Sequence, residues 1–179
     1  MSSPRILIYL LRKDLRFADN PIFHEIIKTH QQSHSEYTHL LPIFIFPANQ
    51  VEVSGFLSSP SEKSPYPEAR SQVGNFWRCG PHRAKFIAES VSDLRKTLQA
   101  SGNGVEVRVG LTADVVANLL QAYKKDGSAE VVGVWMTADE GVEERRDERA
   151  IQKACVAAGT KFKLWRDDKY FIDEYVFEL

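Results

Sequence analysis

Charged residues that could bind a ligand are concentrated directly after the first apolar segment of the sequence. The stretch RKDLRFADN, residues 12–20, follows the apolar run at 6–11. Loops at the ends of buried strands concentrate functional residues, so Arg12 and Asp14 are candidates for binding a ligand. The loop contains neither Gly-x-Gly-x-x-Gly nor Gly-x-x-x-x-Gly-Lys, which disfavours a conventional dinucleotide or triphosphate site. A structural role is equally open, because Asp14 could pair with Arg12 or Arg16.

A second charged cluster, ADEGVEERRDER at residues 138–149, follows the apolar segment EVVGVWMT. Glu143 and Glu144 could reach over the strand ends and accept hydrogen bonds from the amine or amide edge of a heterocycle. They also lie at the predicted start of a helix, where the exposed amides and the helix dipole favour carboxylates without any ligand. Both interpretations remain open from the sequence.

The sequence predicts no catalytic centre and no metal site. No serine occupies a nucleophile elbow. The histidines show no recognisable pairing with an acidic residue and a nucleophile, as a catalytic triad would require. The two cysteines and five histidines show no zinc-like spacing: Cys79 and Cys155, and His24, His30, His34, His39 and His82.

The composition is that of one globular domain. The 179 residues are 43% hydrophobic and 26% charged, with a formal net charge of -1. This balance provides no overall basic field for a nucleic-acid backbone. The longest apolar run, Ile6–Leu11, is too short to span a membrane or to form a signal-peptide core, so we expect an intracellular protein, cytoplasmic or nuclear.

Strand and helix patterns alternate along the chain. Apolar segments at 5–11, 39–46, 105–110, 130–137 and 161–167 predict five strands, and periodic segments at 19–32, 80–102, 112–127 and 142–159 predict helices. This alternation indicates an α/β fold with a five-stranded parallel, doubly wound, Rossmann-like sheet and helices on both faces. Such sheets bind ligands beyond the carboxyl ends of their strands.

Several helix features can be predicted in detail. We expect Asp19 or Asn20 to cap the first helix and Thr112 to cap the third. The apolar stripe predicted to bury one face of the second helix comprises Phe86, Ile87, Val91, Leu94 and Leu98.

Three segments interrupt the regular pattern. Pro42 predicts that the second strand starts there or is interrupted, because proline cannot donate to a ladder. Residues 47–78 are long and irregular, which predicts a surface excursion. The aromatic-rich tail Tyr170–Leu179 is typical of a strip that docks on another surface, and self-association through it is one possibility.

Three sequence segments carry a resemblance to a known family. IYLLRKDLRFADNPIF resembles the opening of the photolyase/cryptochrome family, whose pattern Arg-x-Asp-Leu-Arg-x-x-Asp-Asn-Pro is filled here from Arg12 to Pro21. FWRCGPHRAKFIAESVSDLRKTL is similar to the DASH branch, and EGVEERRDERA to the family's Glu-rich helix start. The matching segments cover most of the chain and agree least in residues 47–78.

The resemblance implies a domain organisation and a partner. Family members join an N-terminal α/β domain that holds an antenna chromophore to a larger helical domain that holds FAD and binds damaged DNA. Residues 1–179 would be the antenna domain, with 47–78 as an insertion. The FAD-binding helical domain is not contained in the chain, so FAD and DNA would be bound only through that partner domain, and the chain alone would not be catalytic. The longer protein would serve blue-light signalling or repair of cyclobutane pyrimidine dimers, as a deoxyribodipyrimidine photolyase does.

The resemblance also implies a chromophore. In the DASH branch it is usually 5,10-methenyltetrahydrofolate, bound between the two domains, and Glu144 with neighbouring Glu143 falls where an acidic residue contacts the pterin edge. Flavin or deazaflavin antennas of relatives lie deeper, near Arg12 and Asp14. Since the folate pocket normally includes a wall from the helical domain, we expect weak binding by this chain alone.

Two other functions are compatible with the residues alone. One is an enzyme of the nucleotide-binding α/β class that binds ATP or AMP, against which the lack of a glycine-rich loop counts. The other is a protein-interaction module that docks through the apolar tail Tyr170–Leu179.

Overall fold

The computed structural model describes residues 3–32, 35–53, 59 and 61–167. The elements in chain order are β1 (Arg5–Leu11), α1 (Pro21–Gln31), β2 (His39–Pro47), α2 (Pro81–Ala100), β3 (Glu106–Gly110), α3 (Thr112–Asp126), β4 (Glu130–Thr137), α4 (Val142–Ala158) and β5 (Lys161–Trp165). All neighbouring strands pair in parallel, in the order β3-β2-β1-β4-β5. The predicted α/β fold with a five-stranded parallel sheet is confirmed.

The strand β1 forms the centre of two separate apolar cores. Side chains of a strand alternate between faces, so Leu7, Tyr9 and Leu11 pack with α1 and α2, whereas Ile8 and Leu10 pack with α3 and α4. Both faces of β1 are therefore buried, as its uninterrupted apolar sequence predicts. Strand order reverses next to β1, which lies between β2 and β4. The loops that follow β1 and β4 consequently meet at the same edge of the sheet.

A buried hydrogen-bond network holds the loop after β1. The side chains of Tyr9, Asp14 and Asn20 are all at most 1% exposed. The Tyr9 hydroxyl donates to Asp14 Oδ2, and Asn20 Nδ2 donates to the Tyr9 oxygen at 2.6 Å. Burial, followed by the negative charge of Asp14, raises the pKa of Tyr9. The phenol therefore stays protonated and remains a donor.

Asn20 also begins α1, so of the two predicted caps it is Asn20 that acts. Its Oδ1 accepts from the backbone amides of Ile22 at 2.9 Å and Phe23 at 3.1 Å. These amides have no partner within the helix. Asp19 instead pairs with Arg16 at the surface, at 2.7 Å.

Three details of the sequence prediction were wrong. Strand β2 starts before Pro42 and continues through it. The pairing of β2 with β3 begins only at Ile43, so Pro42 lies just before the part of β2 that is paired with β3. Thr112 is the first residue of α3, and Leu111 occupies the cap position without a side-chain hydrogen bond. Phe86 is 70% exposed, whereas Val91, Leu94 and Leu98 of the same predicted stripe are buried. Phe86 lies in the second turn of α2, where it lines the cavity described below.

The irregular segment 47–78 contains buried residues as well as exposed ones. Val51, Val53 and Ala69 are buried, while Val73 and Phe76 are exposed. A turn with positive φ at Gly74 and Asn75 reverses the chain, and the Arg70 guanidinium lies 3.8 Å above the Trp77 ring. The tail Tyr170–Leu179 lies outside the described residues. Within the described part of the chain, no helix is long and apolar enough to cross a membrane.

Replacing Asn20 by alanine tests the network. The Asn20→Ala variant loses the cap of α1 and leaves the Tyr9 and Asp14 groups short of a buried partner, so we expect the free energy of unfolding to fall by about 2–4 kcal/mol. Urea denaturation at neutral pH measures this change. The adjacent Asp19→Ala variant is the control, because the Asp19 side chain is 76% exposed and its loss should cost under ~0.5 kcal/mol. Equal losses for the two variants would contradict the assignment of Asn20 as cap.

Candidate ligand-binding site

A cavity of about 310 Å³ opens at the carboxyl edge of the sheet, between the ends of β1 and β2 and the N-terminal parts of α2, α3 and α4. Its walls are mainly apolar and come from all of these elements. Lining side chains include Leu11, Leu15, Phe44, Ile45, Phe86, Ile87 and Ile151, with the charged residues Arg12, Lys13, Arg83, Glu144 and Asp147. An apolar cavity with a few convergent polar groups is the usual form of a small-molecule site.

The ion pair between Arg12 and Glu148 ties the end of β1 to α4. Arg12 Nη1 lies 2.7 Å from Glu148 Oε1, and the two side chains are only 15% and 10% exposed. Arg12 also donates to the carbonyl of Thr137 at 3.3 Å, and Glu148 Oε1 accepts the backbone amide of Asp139 at 2.9 Å. The pair therefore joins β1, the end of β4 and α4, and both charges are already neutralised by protein groups.

Lys13 forms a second bridge at the rim of the cavity. Its Nζ lies 2.8 Å from Asp139 Oδ2 and 2.9 Å from Glu144 Oε1. Burial alone would lower the pKa of Lys13, but hydrogen bonds and charge from both carboxylates raise it overall. The hydrogen bond from Lys13 lowers the pKa of Glu144. For Asp139, burial opposes ionisation, but Lys13 and then Arg12 leave its pKa lowered.

The four residues predicted as ligand contacts occupy different environments. Arg12 and Glu144 line the cavity. Asp14 does not, because it is fully buried in the loop network, where its Oδ1 accepts the backbone amide of Arg12 at 2.9 Å. Glu143 points elsewhere and pairs with Arg78 from the segment before α2. The structure thus brings Arg12 and Glu144 to one site and places Asp14 and Glu143 outside it.

Besides Lys13, two charged residues of the cavity were missed by the sequence analysis. Asp147 and Arg83 both line it, and no hydrogen bond or ion pair joins either side chain to another residue that the structure describes. Burial raises the pKa of Asp147 despite the opposing charge of Arg12. Helical spacing could have identified Asp147, because it follows Glu144 by three residues on α4 and so shares its face.

The arrangement is suited to binding a planar ring. Apolar walls can cover the faces of a ring, the carboxylates can accept hydrogen bonds from N–H groups, and the Arg83 guanidinium can bind an anionic substituent. Across the described residues, no group of three or more histidine, cysteine or acidic side chains is arranged to hold a metal ion.

Removing Lys13 tests the rim bridge through its pH dependence. In Lys13→Ala, Asp139 and Glu144 lose the cation that lowers their pKa values, so we expect a loss of about 0.5–1 kcal/mol at pH 7, a small value because Lys13 is half exposed. A carboxylate with a lowered pKa stabilises the fold above its unfolded pKa, near 4, and this contribution disappears as the pH falls through the lowered value. Urea denaturation of both proteins should therefore show a gap at neutral pH that closes in acid.

The matched control for Lys13 is Lys85→Ala. Lys85 is 74% exposed and lies 3.7 Å from its only ion-pair partner among the described residues, Glu89. We expect a change within a few tenths of a kcal/mol at any pH. A gap for Lys13→Ala that persists undiminished in acid would show that the two carboxylates do not cause it.

Comparison with known proteins supports one family. Residues 7–172 match the family model described as DNA photolyase. A protein named as a cryptochrome DASH in Gibberella zeae is 46% identical over 174 residues, which are 97% of this chain and 24% of the relative. A Neurospora crassa protein named as a mitochondrial cryptochrome DASH is 43% identical and is matched over 23% of its length. The chain therefore spans about a quarter of the length of these curated relatives.

The fold agrees with solved structures of the same group. A Synechocystis cryptochrome superposes with a TM-score of 0.69 at 21% identity, over 93% of this chain and 28% of that one. The archaeal photolyase from Sulfolobus tokodaii superposes with a TM-score of 0.61 at 19% identity, over 90% of this chain and 29% of that one. From the family match and the identity to the two fungal relatives, we conclude that this chain belongs to the DNA photolyase family and is similar to its cryptochrome DASH members.

Proposed function

We propose that the cavity at the carboxyl edge of the sheet binds a light-harvesting chromophore. In a longer protein of this family, the domain would pass absorbed light energy to FAD bound in a helical domain, for blue-light signalling or repair of cyclobutane pyrimidine dimers. The structure of the Sulfolobus tokodaii photolyase is described as containing two FAD molecules, with the implication of a novel light-harvesting cofactor. That description and the family membership support an antenna role for this chain.

The observation that carries the proposal is the composition of the cavity. Its volume of about 310 Å³ falls at the lower end of the range of roughly 300–1,000 Å³ for small-molecule sites. Arg12 and Glu148 neutralise each other, whereas Asp147 and Arg83 line the cavity without an ion-pair partner among the described residues. A ligand with an aromatic ring, N–H donors and an anionic substituent would satisfy both the apolar walls and these two charges.

Among antenna chromophores we propose 5,10-methenyltetrahydrofolate. The N–H groups of its pterin ring could donate hydrogen bonds to the carboxylates on α4. The carboxylates of its glutamate tail could bind to Arg83. Glu144 at the rim, paired with Lys13, supplies one of these carboxylates. A flavin is the competing ligand, because its ring system is also planar and aromatic. It differs from a pterin in the donors and acceptors along its hydrogen-bonding edge.

Titration of the purified chain with 5,10-methenyltetrahydrofolate tests the proposal directly. We expect saturable binding, seen as a shift in the absorption band and a change in the fluorescence of the ligand, and no comparable binding of ATP. Because the helical domain is expected to complete the pocket, the same titration in a longer protein should be tighter. Binding of ATP together with failure of both folate and flavin to bind would favour a nucleotide-binding enzyme instead.

The Glu144→Ala variant tests the rim. Loss of a charged acceptor should weaken folate binding about tenfold, in the longer protein if binding by the chain alone is too weak to measure. Glu143→Ala should have a much smaller effect, because Glu143 pairs with Arg78 outside the cavity. The control is Glu89→Ala on the exposed surface of α2, where Glu89 lies 3.7 Å from Lys85 and does not line the cavity. An unchanged dissociation constant for Glu144→Ala would remove Glu144 from the site.

A further inference from the structure

Asp147 differs from the other two acidic residues on its face of α4. Glu144 is hydrogen-bonded to Lys13 at 2.9 Å, and Glu148 is paired with Arg12 at 2.7 Å. Asp147 lies between them in sequence and lines the same cavity, yet its carboxylate forms no hydrogen bond or ion pair within the described part of the chain. A half-buried carboxylate without a partner, facing an apolar cavity, is poised to accept hydrogen bonds from a ligand.

We propose that Asp147 determines which ring the cavity accepts, selecting a pterin over a flavin; this inference rests on the proposed function. A pterin presents two adjacent donors, the 2-amino group and N3–H, which the two oxygens of a carboxylate can accept together, as they do from an arginine fork. The corresponding flavin edge has a single N3–H between two carbonyls. One carboxylate oxygen would then face a carbonyl oxygen and remain unpaired, which weakens binding.

The preference for a pterin over a flavin should also depend on whether Asp147 is protonated. Burial raises the pKa of Asp147, and Glu144 and Glu143 on its own helix raise it further, whereas Arg12 from the end of β1 and Arg78 from before α2 oppose them. Arg83 of α2 faces the same cavity. Asp147 therefore binds its proton at a higher pH than an ordinary aspartate does. A protonated carboxyl has one donor and one acceptor, which matches the flavin edge, so preference for the pterin should rise as the pH increases.

The test compares 6-methylpterin with lumiflavin, two small fluorescent rings without anionic tails, on the wild-type chain and Asp147→Asn. The amide keeps the shape of the side chain but offers one donor and one acceptor, as the protonated acid does. We expect Asp147→Asn to bind 6-methylpterin about tenfold more weakly and lumiflavin equally or more tightly. For the wild type, the ratio of pterin to flavin affinity should rise as the pH increases through the raised pKa of Asp147, and for Asp147→Asn it should stay flat.

The control is Asp93→Asn, the same substitution at an exposed position of α2, which should leave both affinities and their pH dependence unchanged. Circular dichroism and urea denaturation establish that each variant is folded. Equal losses for both rings in Asp147→Asn, or an unchanged affinity ratio, would overturn the role of Asp147 while leaving the proposed function intact. Failure of both the chain and a longer protein of this family that contains it to bind these rings or the folate would overturn both proposals.

Discussion

The buried carboxylate of Asp14 is the constraint on which the edge of the sheet depends. A charge taken out of water is costly unless hydrogen bonds satisfy it, and Asp14 receives them from the Tyr9 hydroxyl and the amide of Arg12. These bonds shape the loop between β1 and α1 and place Asn20 where it caps α1. With the loop held in this way, the side chains of Arg12 and Lys13 extend over the end of the sheet towards α4.

Two cations at the end of β1 therefore organise the neighbouring helix in different ways. Arg12 is largely buried with Glu148 and links three elements, whereas Lys13 is half exposed between Asp139 and Glu144. The buried pair is expensive to break because one charge would be left without a partner. The rim pair is weaker and more easily rearranged. The two ion pairs therefore give the apolar cavity a stable wall and a more adaptable rim.

Charge density in the sequence indicated the edge of the sheet at which the cavity opens, but it did not separate the residues that line the cavity from those that do not. Arg12 and Asp14 have similar prominence in the loop sequence, yet Arg12 lines the cavity and Asp14 is enclosed by the fold. Glu143 and Glu144 are adjacent, and the helical rotation of about 100° between neighbours directs them to different partners. Asp147 was overlooked because nothing in a run of charged residues distinguishes a paired carboxylate from an unpaired one. Phe86 fitted the apolar stripe of α2 by its spacing, but it lies in the second turn, beyond the buried part of the helix.

The sequence alone determined the succession of strands and helices along the chain, the parallel sheet, a side-chain cap for α1 at Asp19 or Asn20, and the family. These follow from local patterns: apolar periodicity reports which faces are buried, and the capping residues report where hydrogen bonding within a helix stops. Only the tertiary structure decided which charges pair with one another and which face the cavity. Glu148 lies 136 residues from Arg12 in sequence, and such pairings depend on strand order and helix placement, which no local pattern encodes. The separation of structural charges from those available to a ligand is therefore a property of the folded chain.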